Sequence, residues 1–141
     1  MLRLTKRYPF SASHRLHTDR LSDEENARLF GKCNNPYGHG HNYVLEVSVS
    51  GEDDPASGML LQRAELDRLV HRAVLDKVDH ANLNTDVAAM KDVVPTTENL
   101  ALVIGNWLRE ACEKEFEGRP IRLNRIRIEE TPRNSFEVTY G

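Results

Sequence analysis

The chain has 141 residues, 39% of them hydrophobic and 29% charged, with a formal net charge of −3. That length suits one domain with a core of its own, and no apolar run approaches the roughly 20 residues that a bilayer span requires. The acidic balance excludes a nucleic-acid binder that runs on bulk positive charge.

No internal repeat, low-complexity tract or long linker divides the chain, so a single domain over residues 1–141 is expected. The stretch Met1–Phe10 lacks the apolar run of a signal peptide, which makes the cytoplasm the expected location and reduced thiols the expected state of Cys33 and Cys112.

In chain order, Leu2, Leu4, Tyr8, Phe10, Ala12 and His14 share one parity, the period of a half-buried strand. "LSDEENARLF" sets Ser22 and Glu25 in capping-box register and ends at Gly31, predicting a short helix. A second strand starts near His41, with Tyr43, Leu45, Val47 and Val49 alternating with more polar neighbours until "GEDDPASG" stops it.

Two amphipathic helices follow. Leu66, Leu69, Val70, Ala73 and Val74 stripe one; Leu100, Val103, Ile104, Trp107, Leu108 and Ala111 stripe the other, which Thr96 or Thr97 begins just after Pro95. Ile126, Ile128 and Glu130, then Phe136, Val138 and Tyr140, read as two strands joined through "TPRN". The expected fold is α+β: a ββααββ unit with two helices on one face of a four-stranded, mostly antiparallel sheet. Its other face, bearing Arg7, Glu46, Arg125, Arg127 and Glu129, wants water. Two open edges make closure into a ring-shaped barrel of several subunits the expected assembly.

The stretch "FGKCNNPYGHGHNY" holds the densest chemistry. His39 and His41, two apart, converge on one ion if the strand reaches back to them, and His14, on the face of Phe10 and Ala12, is the best third zinc ligand from another strand. A glycine-rich turn with two solvated imidazoles explains the pair equally well. Cys33, five residues before His39, could ligate the same ion or stand beside it as a base, whereas Cys112 on the apolar side of its helix reads as a small hydrophobe. Asp79 and His80 sit where the first long helix ends, and a loop there could aim both at one target. Glu130 shares parity with Ile126 and Ile128, so its carboxylate needs a donor; an internal arginine is the plainer partner, paired N–H groups of a ligand the other.

Seven segments in order, "FSASHRL", "LSDEEN", "FGKCNNPYGHGHNY", "GEDDPASGM", "VDHANLN", "DVVPTTEN" and "EET", give the chain a resemblance over nearly its whole length to the 6-pyruvoyltetrahydropterin synthase and 6-carboxytetrahydropterin synthase family, nearest to its pyruvoyl-forming members. The resemblance implies the T-fold, or tunnelling fold, assembled as a homohexamer of two stacked trimeric barrels with sites between subunits. It implies that His14, His39 and His41 hold Zn2+, that Cys33 abstracts a proton, and that Asp79 and His80 complete a relay with it. Glu130, with Thr96 and Thr97 assisting, would grip the pterin ring.

The implied reaction is conversion of 7,8-dihydroneopterin triphosphate to 6-pyruvoyl-tetrahydropterin with loss of triphosphate, without an external redox cofactor. The cations for the triphosphate stay open among Arg15, Lys32, Lys91 and Arg133. The family's carboxy-forming enzymes of queuosine synthesis act on the same substrate, but their usual motif has three residues between the cysteine and HGH. Here there are five. A catalytically idle zinc-binding assembly module is the alternative of another class, and it has no use for Cys33, Asp79 and His80 together.

Overall fold

The computed structural model describes residues 1–141. Two long strands, β1 (Leu2–His14) and β2 (His39–Gly51), pair antiparallel along their full length, from Leu2 opposite Gly51 to His14 opposite His39. β4 (Ile121–Thr131) pairs with β2, and β5 (Asn134–Thr139) pairs with β4 across the two-residue turn Pro132–Arg133. The expected four strands gain a fifth: β3 (Ala81–Asn82) lies parallel to β1 at Ala12 and Ser13, giving the order β3-β1-β2-β4-β5. Two residues are too few to carry a readable alternation, which is why this strand escapes the sequence.

Three helical stretches complete the fold. α1 (Asp23–Phe30) has the expected capping box: Ser22 Oγ accepts from the Glu25 backbone N–H at 3.1 Å, and Glu25 Oε1 accepts from that of Ser22 at 3.1 Å. α2 (Arg63–Val70) passes through a π-turn at His71–Leu75 into the short α3 (Asp76–Val78). The π-turn advances the buried stripe by one residue, so that Leu75 and Val78 face inward after Leu66, Leu69, Val70, Ala73 and Val74. α4 (Thr97–Glu115) is capped by Thr96, whose Oγ1 accepts from Asn99 N–H at 3.2 Å.

The core is one cluster between these helices and the inward side of the sheet. Leu45, Val47, Ile126 and Ile128 meet Leu66, Val74, Leu100, Ile104 and Leu108 there. Cys112 is buried among them, as its place on the helix predicts. Two glycines allow close approach of chain to chain. A Cβ on Gly51 would fall 1.9 Å from the Pro120 carbonyl oxygen, and one on Gly105 would fall 2.3 Å from the Tyr140 hydroxyl. No helix is long and apolar enough to cross a membrane.

On the opposite side of the sheet, Arg7 Nη1 reaches Glu46 Oε2 at 2.9 Å and its Nη2 reaches Glu129 Oε2 at 3.2 Å. Arg125 pairs with Glu137 at 2.8 Å, and Arg127 with Glu46. Alternating residues of four strands thus form a charged lattice across this face. The outer edges of β5 and of Leu2–Ser11 in β1 carry no neighbouring strand.

Candidate metal and pterin site

Register places the histidines. Residues directly opposite one another in an antiparallel pair share a face; His14 stands opposite His39, and Ala12 opposite His41. All three imidazoles therefore project to the side on which Tyr8, Phe10 and Ala12 are buried. Gly38, at φ 82°, makes the turn just before His39, where a Cβ would approach the His14 carbonyl oxygen to 2.9 Å.

The Nε2 atoms of His14 and His41 are 3.1 Å apart. Cys33 joins them from a 3-10 turn, Gly31–Asn34, with its Sγ 3.7 Å from His41 Nε2. That turn is tied to the chain following β1: Leu16 N–H donates to the Cys33 carbonyl at 2.7 Å, and Asn34 Nδ2 donates to the Leu16 carbonyl at 2.7 Å and reaches His17 Nδ1 at 3.1 Å. His17 is thereby part of the support for Cys33. The potential ligand atoms of His14, Cys33 and His41 all lie within 4.8 Å of one another. His39 stands outside this tight trio, its ring edge-on to that of His41 with centroids 4.7 Å apart.

The donor set suits a divalent metal of zinc's kind, which favours nitrogen and sulfur. His14 Nδ1 is 2.8 Å from the Pro95 carbonyl oxygen. A carbonyl only accepts, so Nδ1 carries the proton and the lone pair of Nε2 faces His41. Burial lowers the His14 pKa, against the opposing pull of Pro95 and Glu130. Burial also lowers that of His41, with His14 adding to the effect. Both rings are held toward the neutral form a metal needs. The Cys33 thiol is pushed up by burial and then by the charge of Glu130.

Glu130 closes the far side. Its Oε1 is 3.4 Å from His41 Nε2, and its Oε2 accepts from Thr97 Oγ1 at 2.8 Å and Asn134 Nδ2 at 3.3 Å. The internal arginine expected for it is absent: Arg125 and Arg127 of β4 have the other parity and pair across the charged face, leaving Glu130 to a hydroxyl, an amide and an imidazole. Thr97 is buried at the first turn of α4, while the Thr96 hydroxyl caps that helix.

Asp79 and His80 lie elsewhere. Asp79 Oδ1 accepts from Ser11 N–H at 3.0 Å, and His80 N–H donates to the Ser11 carbonyl at 2.6 Å. His80 adopts φ 60°, and its largely exposed ring borders a crevice of about 320 Å³ walled by Ser11, Ala12, Ser13, Gly40, His41 and Asn42. Of these, Ser11, Ser13, Gly40 and Asn42 have the opposite parity to the three imidazoles. Within one chain, then, the Asp79–His80 pair and Cys33 lie toward different faces of the β1–β2 ladder, with His41 bordering both.

Two site residues escape a motif reading. Asn34, beside Cys33, clamps its turn; Tyr43, on the parity of His39 and His41, sends a buried ring beneath the site, 5.5 Å from that of His41. Parity was the available signal for Tyr43.

Comparison with known proteins relates the chain as a whole to others. The human 6-pyruvoyl tetrahydrobiopterin synthase is 46% identical over 93% of this chain and 86% of its own length. The Dictyostelium discoideum protein of that name is 45% identical over 98% of this chain and 95% of its own. The structure of Caenorhabditis elegans 6-pyruvoyl tetrahydropterin synthase superposes with a TM-score of 0.87 at 42% identity, covering 99% of this chain and 96% of that one. A family model described as 6-pyruvoyl tetrahydropterin synthase matches residues 3–140. With its residues matched almost end to end in both sequence and fold, this chain belongs to the 6-pyruvoyl tetrahydropterin synthase family.

Proposed function

We propose that the chain is a lyase that converts 7,8-dihydroneopterin triphosphate to 6-pyruvoyl-tetrahydropterin and triphosphate. The observation that carries this reading is the single cluster in which a thiol, the buried imidazole of His14 and a half-buried carboxylate meet around the half-buried His41. A thiol can move a proton, and a carboxylate with a neighbouring hydroxyl suits the paired N–H groups of a pterin ring.

His14, His39 and His41 would hold the metal, zinc by preference for this donor set. A bound Lewis acid there would acidify carbons bearing the substrate's side-chain hydroxyls and stabilise charge developing on their oxygens. Glu130 and Thr97 orient the ring. Cys33, as thiolate, takes the C–H proton from the carbinol carbon next to the ring, and the electron pair passes into the ring's C=N bond, which takes up that proton and the one released by the hydroxyl to become the tetrahydro form while the carbinol becomes a ketone. Loss of a proton from the second carbinol carbon then expels triphosphate from the third, and the enol left behind becomes a methyl ketone. Oxidation of the side chain thus balances reduction of the ring, and no external redox cofactor enters.

We further infer that Asp79 and His80 act on the Cys33 site of a neighbouring copy. The open edges of β1 and β5 and the charged sheet face support a closed ring of subunits, a homohexamer by the family resemblance, located in the cytoplasm. Barrel closure would satisfy both edges.

Mass spectrometry of the product formed from 7,8-dihydroneopterin triphosphate by the zinc-loaded protein tests the reaction. A pyruvoyl-tetrahydropterin is expected; a carboxylated pterin with acetaldehyde overturns it. Cys33→Ala, assayed with metal content in parallel, is expected to retain metal and lose turnover. Lost metal would make Cys33 a ligand, and unchanged turnover would remove it from the chemistry.

A further inference from the structure

Tyr43 is 1% exposed, yet its hydroxyl closes no hydrogen bond of acceptable geometry within the chain. Buried hydroxyls rarely stay unpartnered, because losing water without gaining another partner is costly. The ring is held closely: it stacks on Phe10 at 4.9 Å with the planes 14° apart and lies 5.5 Å from the His41 ring. The hydroxyl is therefore fixed in place beneath the cluster, facing Thr97 and in the field of Glu130.

Thr97 has one proton to give and gives it to Glu130 Oε2 at 2.8 Å. The Thr97 oxygen consequently has lone pairs free and a buried O–H donor beside it. Donation to Thr97 Oγ1 would hold its hydroxyl in the one orientation that delivers the proton to the carboxylate, and hydrogen bonds in such a chain strengthen one another.

We propose that Tyr43 is a positioning residue for ligand binding, acting through Thr97 on Glu130: its phenol fixes the Thr97 hydroxyl, which aligns the carboxylate toward the paired N–H groups of the ring it binds. This rests on the pterin reading of the Glu130 site and adds to it a residue that touches neither the ring nor the metal. Tyr43 acts on affinity, not on the proton transfers at Cys33.

The test uses the zinc-loaded protein and 6-hydroxymethylpterin, which has the ring but no triphosphate, with binding followed by pterin fluorescence. Tyr43→Phe keeps the stacked ring and removes only the hydroxyl. It is expected to weaken binding by about three- to tenfold, to raise KM for the triphosphate substrate by a similar factor, and to change kcat by less than about twofold. Thr97→Val should show at least the same loss, and adding Tyr43→Phe to Thr97→Val should cause no further loss, because the chain is already broken.

Wild-type affinity in Tyr43→Phe, additive losses in the double variant, or a fall in kcat without a rise in KM would each overturn the proposal. Should Tyr43→Phe lower the melting temperature, the comparison within the Thr97→Val background still decides. A wild-type protein that binds no pterin overturns the functional reading and this one with it; binding that is indifferent to Tyr43 overturns this one alone.

Discussion

The Nδ1 of His14 donates to the Pro95 carbonyl oxygen at 2.8 Å, two residues before the helix that presents Thr97 to Glu130. One contact thus sets the tautomer of the proposed metal ligand His14 and fixes the segment leading into Thr97. Loss of only an outer partner of a metal ligand typically costs about 10–100-fold in metal affinity, so His14→Ala, which removes the ligand itself, is expected to cost more than about 100-fold. Competition against a chromophoric chelator measures it.

His39→Ala extends the same measurement. It should also lower affinity strongly if three imidazoles bind the ion; an unchanged affinity would assign the third position to Cys33, which lies nearer to His14 and His41.

Activity should be restored by mixing defects across subunits. Cys33→Ala and His80→Ala are each expected to be inactive as homo-oligomers, with losses of about 10²–10⁴ in kcat for removal of a proton-transfer group. Co-assembled, they should regain a fraction of wild-type turnover, because some interfaces then combine an intact Cys33 with an intact His80. Absence of any recovery in verified mixed assemblies would place the relay within one chain, against the separation described above.

Gly51→Ala is expected to destabilise by about 1–3 kcal/mol, the usual cost of overpacking. Its added methyl would meet backbone, the Pro120 carbonyl, which cannot swing aside as a side chain can. The urea midpoint should fall with little change in slope.

Asp67 supplies the pH dependence. Its carboxyl is held below the ordinary value by the Lys6 ammonium first and the Tyr8 hydroxyl second, at 2.9 and 2.7 Å. A pKa lowered on folding stabilises fully above the unfolded value, about 4, and that contribution disappears as the pH falls through the lower folded value. With the side chain 38% exposed, solvent limits the effect to less than about 1 kcal/mol. Urea unfolding at pH 6 and pH 3 should show Asp67→Asn less stable at the higher pH and closer to wild type at the lower one.

Alternation and capping made most of the fold legible. Tyr8, Phe10 and Ala12 announce β1, Ser22 and Glu25 announce α1, and the apolar stripe around Ile104 announces α4. β3 stayed hidden because two residues have no period. The spacing of His39 and His41 brought out the centre of the site, but the partners of Glu130 depend on where α4 begins in space, which no local pattern encodes. Tyr43 looked like an ordinary core aromatic, since its distinction lies in a hydroxyl whose surroundings come from three separate elements.

The wide turn at His71–Leu75 acts as an angular index. Each residue of a helix turns the chain by about 100°, so removing one from this turn would leave the same carboxylate and imidazole downstream while swinging them about a quarter of a revolution away from Ser11. The placement of Asp79 and His80 against Ser11 is therefore encoded upstream in a count of residues, and a one-residue deletion far from the thiol would displace both while sparing every side chain proposed to act.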